Sequence, residues 1–229
     1  MKTKSLALIA LLCLTALIAS AIPALPASPR YRDGSFVGVV KDAKRGDTVV
    51  EVVIKGGKIA EVDVVMPTED EVKKENYPPA LEALKSIPKQ IVAKQSTDVD
   101  VVTKATGSSK KYIDAVKMAL ANAEPRTGKL PAGVKWHDGT YAGLVRDPKH
   151  GDCVVEVVIK GGKMTEVNVI APTAEYMKNY NYEPGKEAYR EIPKRILTAQ
   201  SPDVDVYTKA TGSSKKYMDA VRHALEQAE

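Results

Sequence analysis

A chain of 229 residues in which 34 lysines and arginines are nearly balanced by 29 acids carries a formal charge of +5, or +3 once Lys2 and Lys4 at its start are set aside. The two signs are interspersed along its whole length, which leaves no basic stripe for a nucleic-acid backbone and argues against a nucleic-acid partner. Two cysteines, Cys13 and Cys153, are too few for a disulfide framework, and the absence of Cys-x-x-Cys-His excludes covalent attachment of a c-type haem.

Met1 to Lys4 is positive, Leu6 to Ile18 is apolar, and Ala19-Ser20-Ala21 offers small residues where a signal peptidase cuts. Residues 1–21 therefore read as a signal peptide, and the protein as exported to a periplasmic or other extracytoplasmic space. Left uncleaved, Ser5 to Ala21 is a marginal membrane anchor. Cys13 follows Leu11 and Leu12, where a lipoprotein signal needs a small residue, so lipidation is disfavoured. Residues 22–30 carry three prolines and read as a stiff spacer.

Sliding the chain by 105 residues aligns Asp33 to Glu124 with Asp138 to Glu229 without a gap, and 56 of the 92 pairs are identical. Duplication of a whole domain follows: residues 31–124 and 136–229 are two repeats joined by a linker at 125–135 that holds two prolines and two glycines within Pro125 to Gly133. Each repeat is long enough for its own core, which predicts two units that fold independently.

Within a repeat, Asp33-Gly34 opens a first strand over Ser35 to Val40. A charged connection, Asp42 to Asp47, leads to Val-rich strands at Thr48 to Ile54 and Ile59 to Met66. Lys55-Gly56-Gly57-Lys58 between them is a hairpin signal, because Gly tolerates the positive φ of primed turns. Pro67 ends the third strand. A polar segment around Asn76-Tyr77 precedes a helical pattern, Leu81, Leu84, Ile87, Ile91, in which Pro88 predicts a kink or restart. The second copy repeats all of this, from Asp138 through Gly161-Gly162 to Pro172 and Tyr182. The expected class is α+β: two tandem domains, each a small antiparallel sheet with helices packed on one face.

Each repeat closes on Asp98 to Tyr112, which returns almost unchanged as Asp203 to Tyr217. A Val run with strand character ends in Thr-Lys-Ala-Thr-Gly-Ser-Ser, and Tyr112, Val116 and Leu120 then recur every fourth residue as a helix does. Ser108 or Ser109 is the expected N-cap, with Ser213 or Ser214 in the second copy. Lys110 and Lys111 then occupy a first turn where the helix dipole favours carboxylates. Either they are ordinary solvated lysines, or a bound anion such as a phosphate resolves the conflict at the helix start. His137, His150 and His223 have no His counterpart in the first repeat and no ligand spacing, and no Ser-His-Asp set is present, so neither a metal site nor a hydrolase is indicated.

The pattern Asp-x-x-Thr-x-Ala-Thr with Ser-Ser beyond it resembles the flavinylation motif of the FMN-binding domain family. That family includes the C subunit of the sodium-pumping NADH:quinone reductase, the G subunit of the Rnf complex and extracytoplasmic electron carriers. The resemblance implies FMN esterified through its phosphate to the last Thr of the motif, by a dedicated flavin transferase that uses FAD and a divalent metal. Carried over residue by residue, Asp100, Thr103, Ala105 and Thr106 match in the first copy and Asp205, Thr208, Ala210 and Thr211 in the second. Thr106 and Thr211 would be the acceptors, up to two FMN per chain, and Asp100 and Asp205 would position the motif for the transferase. Ser108, Ser109, Ser213 and Ser214 would hold phosphate oxygens, and Tyr77 and Tyr182 are candidates to stack on the isoalloxazine. Lys104 and Lys209 stand where the family mostly has Gly. The implied function is extracytoplasmic electron transfer with redox partner proteins at or near the membrane, as a carrier more than a stand-alone enzyme. The alternative is a module of the same fold, without flavin, that recognises another anionic ligand or a protein.

Overall fold

The computed structural model describes residues 30–229; the leader, the cleavage site after Ala21 and Cys13 lie outside the described residues. Strands β1 (Gly34–Val40), β2 (Thr48–Lys55) and β3 (Lys58–Met66) form an antiparallel meander. Gly56 and Gly57, at φ of 59° and 70°, supply the two left-handed residues that a two-residue hairpin turn needs to match strand twist. Asp33 accepts from both of their N–H groups, at 2.9 and 2.8 Å, so the opening residue of the repeat caps its own hairpin. Asp138 does the same at Gly161 and Gly162.

A short helix α1 (Glu69–Lys74) occupies what the sequence presents as part of a polar segment, started by a capping box between Thr68 and Glu71. Helix α2 (Pro78–Lys94) runs through Pro88 without the restart that the proline invites. Pro88 is buried beside Ile87 and Ile91, and that burial outweighs one missing i→i−4 bond. Residues 98–102 are not a strand: Val99 and Val102 place their side chains against the core while their backbone pairs with no ladder. Helix α3 (Thr106–Ala123) then closes the repeat. The second copy follows as β4 (Gly139–Val145), β5 (Cys153–Lys160), β6 (Lys163–Ala171), α4 (Ala174–Lys178), α5 (Glu183–Ala199) and α6 (Thr211–Ala228).

The helices pack on one face of the sheet, as α+β patterning implies. Phe36, Val50, Val52 and Ile54, alternate residues of β1 and β2, form one core with Ala83, Ile87 and Ile91 of α2 and Tyr112, Ala115, Val116 and Ala119 of α3. The approach is close because β1 carries Gly38: a Cβ there would lie 1.8 Å from the Ala115 carbonyl oxygen, and Gly143 stands in the same relation to Ala220. Small residues on both surfaces let helix and strand backbones meet.

The two repeats share one sheet, in the order β3-β2-β1-β4-β5-β6, joined by a bridge from Val37 to Ala142. On the face away from α2 and α3, Val37, Val39 and Val49 form a third buried cluster with Ala142, Leu144 and Val154 of the other repeat. Ion pairs flank it reciprocally: Lys41 holds the buried Glu156 at 2.7 Å, and Arg146, which is Lys41 shifted by one repeat, holds Glu51 at 2.9 Å. Burying one aliphatic side chain stabilises by roughly 1.5–3 kcal/mol and an exposed ion pair by about 0–1, so the apolar cluster dominates the junction and the ion pairs fix its register.

Candidate functional site

Helix α2 ends at Gln95 in the left-handed region, and its side chain ties the following loop to the sheet. The Gln95 amide accepts from Ile59 N–H at 2.9 Å and donates to Ile59 O at 2.7 Å, standing in for a strand partner beside a register shift between β2 and β3. Gln200 repeats this on Met164. The loop then climbs over the core to Lys104, whose φ is 67°, with Lys209 at 64°. The usual-Gly position therefore keeps the left-handed conformation even with lysine in it, at a cost of about 1–2 kcal/mol. The hydroxyl of Tyr77 donates to the Lys104 carbonyl at 2.6 Å, and that of Tyr182 to the Lys209 carbonyl, which holds the strained residue in place.

The start of α3 differs from expectation. The N-cap is Ala105, not Ser108 or Ser109, and no side chain caps the helix; Ala210 and α6 are the same. Buried Ser109 turns its hydroxyl away from solvent, donating to Ala105 O at 2.9 Å and accepting from Val102 N–H at 3.0 Å, and Ser214 does likewise with Ala210 and Tyr207. These serines brace the loop. Thr106, the first helical residue, is exposed, as are Gly107 and Thr211, and half-buried Ser108 faces the adjoining groove. The first-turn N–H groups are thus offered without a capping side chain, beside two hydroxyls.

Because the helix starts at Thr106, Lys110 and Lys111 fall in its second turn and not its first, and the two divide. Lys111 pairs with Asp42 at 2.5 Å and Lys216 with Asp147 at 2.5 Å, both acids coming from the charged connection after the first strand of each repeat. The Lys111 ammonium, helped by the N–H groups of Lys44 and Arg45, pulls the Asp42 carboxyl down to about 2, and Lys216 depresses Asp147 further. A protein carboxylate, not a bound anion, answers Lys111 and Lys216. Lys110 and Lys215 remain exposed on the helix surface.

Beside each helix start runs a groove. In the first repeat, with a cavity volume of about 460 Å³, it is walled by Arg45, Glu75, Tyr77, Lys104, Ser108 and Tyr112. In the second, at about 790 Å³, the wall includes His150, Cys153, Tyr176, Tyr180, Ser213 and Tyr217, and four residues from the first repeat join it, Val65, Met66, Thr68 and Glu71. Burial pushes the Tyr112 phenol up to about 12 and the Cys153 thiol up to about 12, so both are neutral at ordinary pH. Among the described residues no cluster of His, Cys, Asp and Glu could hold a metal ion.

Of the remaining motif residues, Thr103 and Thr208 are exposed on the loop and Ala105 and Ala210 are buried beneath it. Asp100 and Asp205 lie outside the groove with carboxylates toward solvent; Lys94 reaches Asp100 at 3.5 Å. The loop residues that hold the site without belonging to the motif are Tyr77, Gln95 and Asp42 with their counterparts. The one signal for them in the sequence is that each recurs unchanged 105 residues later.

A comparison with protein families matches residues 44–121 and 149–226, each to the FMN-binding domain. A crystal structure of the CPE2226 protein from Clostridium perfringens is similar at 24% identity and a TM-score of 0.35, over 41% of this chain and 88% of that one. Among curated proteins none matches.

Proposed function

The chain belongs to the FMN-binding domain family, and on that premise we propose that it is an exported electron carrier holding one FMN in each repeat through a phosphoester to Thr106 and to Thr211. The observation that carries this reading is the setting of the two threonines. Each is exposed at the first position of an uncapped helix, two residues after a left-handed lysine; neither lines a groove itself, but Ala105, Gly107 and Ser108 beside Thr106 line the first groove and Ser213 near Thr211 lines the second, and volumes of about 460 and 790 Å³ lie within the range usual for cofactor sites. The helix N-terminus favours an anion there, and a phosphodiester keeps one negative charge. Bound FMN would supply a ring that takes up and gives back electrons.

The chain's own residues do the rest. Thr106 and Thr211 offer the hydroxyl oxygen that would bond to the FMN phosphorus of FAD as the pyrophosphate bond breaks and AMP leaves, the hydroxyl proton going to a base of the transferase. The first-turn N–H groups and the hydroxyls of Ser108 and Ser213 would hold the phosphate oxygens. Asp100 and Asp205, exposed beside the loop, suit recognition by a flavin transferase better than contact with the bound flavin. Lysine at the usual glycine would favour a module without flavin if it denied the backbone its turn, but Lys104 and Lys209 keep the left-handed φ. Intact mass after co-expression with a flavin transferase in an exporting host tests the reading. Wild type should gain two FMN-phosphoester increments, Thr106→Ala and Thr211→Ala one each, and the double variant none. A colourless wild type of unmodified mass, made beside an active transferase, refutes it.

A further inference from the structure

The two grooves are built from equivalent positions but are not chemically alike. Lys44 and Lys111 of the first groove have lysine counterparts in Lys149 and Lys216 of the second, so these charges cancel in a comparison, whereas Lys104 lines only the first groove and the carboxylates Asp147 and Asp152 line only the second. In the first groove Arg45, whose guanidinium lies beside Gly107 of the helix start, offsets Glu75. In the second, His150 replaces Arg45, Tyr180 replaces Glu75 and Tyr176 replaces Glu71. Tyr180 is seated, not adventitious. Its ring lies over Gly185, where a Cβ would come within 2.6 Å of it, and the first repeat has Ala80 at that position, paired with the shorter Glu75. Tyr176 and Tyr180 lie with centroids 5.7 Å apart in a tilted pair. Glu71 of the first repeat reaches this wall of the second groove, its carboxylate fixed by Thr68 N–H at 2.8 Å and the Thr68 hydroxyl at 2.9 Å.

We propose that the two flavin sites are tuned apart: the tyrosine wall of the second groove stacks on its flavin, and Glu71, lent across the junction by the first repeat, makes that flavin the harder of the two to reduce. This rests on the reading that both threonines carry FMN. Reduction adds negative charge to the ring, so a carboxylate without a compensating cation opposes it, while the Arg45–Glu75 combination in the first groove is neutral. Stacking on tyrosine favours the flat oxidised ring and quenches its fluorescence. On partial reduction, the electrons held by the chain reside in the first repeat.

The test uses the full chain matured with a flavin transferase. Thr106→Ala leaves only the second site and Thr211→Ala only the first. The second-site flavin should be several-fold less fluorescent and should have the lower midpoint in a dithionite titration. Tyr180→Leu in the Thr106→Ala background should restore fluorescence. Glu71→Gln, which keeps the capping box because glutamine serves there too, should raise the second-site midpoint and leave the first unmoved. The expected change is on the order of tenfold in the reduced-to-oxidised ratio at fixed potential, about 59 mV for a one-electron couple. Equal fluorescence and equal midpoints at the two sites, or a Glu71→Gln shift of the same size at both, overturn the proposal. Absence of flavin mass from both single variants is a different result, and refutes the flavin reading together with it.

Discussion

Gly38→Ala places a methyl carbon 1.8 Å from the Ala115 carbonyl oxygen and 3.0 Å from the Ala119 nitrogen, both backbone atoms of α3. No rotamer change relieves such a contact. The helix must retreat by about 1.2 Å to reach even the closest tolerated separation, and interiors at crystal-like density transmit such a shift to every neighbour. Inserting one methyl into a packed core costs about 1–3 kcal/mol, and a clash with backbone on both sides belongs at the upper end. Replacing glycine in a strand returns roughly 0.5–1 kcal/mol of chain entropy. A net loss of about 2 kcal/mol follows, equivalent to roughly 4–8 °C in Tm for a chain of this size. Gly107→Ala is the control: it lies in the same helix with only the Arg45 guanidinium near, at 3.5 Å. There the same chemical change should be neutral or stabilise by up to about 1 kcal/mol through helix propensity. Urea denaturation followed by circular dichroism measures both. A Gly38→Ala protein within about 0.5 kcal/mol of wild type, or a Gly107→Ala protein destabilised as much, would refute the reasoning from close approach.

The folded-state pKa of Asp42 lies below its ordinary value of 3.8, at about 2, so the stability it contributes is present above pH 3.8 and lost as pH falls toward 2. Lys111→Met should flatten the acid limb of the stability–pH profile in that window, and an unchanged limb would show that the pair contributes nothing. Lys41→Met strands the buried Glu156 carboxylate and should cost about 1–3 kcal/mol, recovered in part by adding Glu156→Gln; thermal melts of the single and double variants decide. A fragment of residues 31–124 would bare Val37, Val39 and Val49, so it should self-associate or capture the 136–229 fragment, as read by sedimentation. If each fragment is instead a stable monomer, the shared cluster is unimportant to folding.

Local patterning carried much of this protein in its sequence. The strands, the Gly56-Gly57 turn and the helix carrying Tyr112, Val116 and Leu120 are written in short-range periodicity and turn chemistry, and the duplication is legible because identity at one fixed spacing needs no fold to be seen. The same periodicity put the motif at a junction leading into a helix, though not the first helical residue at Thr106 and Thr211. What lay beyond the sequence depended on contacts between distant residues. Valines 99 and 102 have the composition of a strand, but only packing decides that their backbone meets no partner. Pro88 invites a restart, but the helix continues through it with the proline buried beside Ile87. Ser109 looks like a cap, but the cap is Ala105, four residues earlier, and the Ser109 hydroxyl is taken up by Ala105 and Val102. Lys111 looks unopposed until Asp42, far away in the chain, is brought to it. The union of two repeats in one sheet, with Glu71 of one lining the groove of the other, is invisible to any reading that treats the copies as equivalent. It was decided by which surfaces two nearly identical units bury against each other, a property of the assembled fold that neither repeat carries alone.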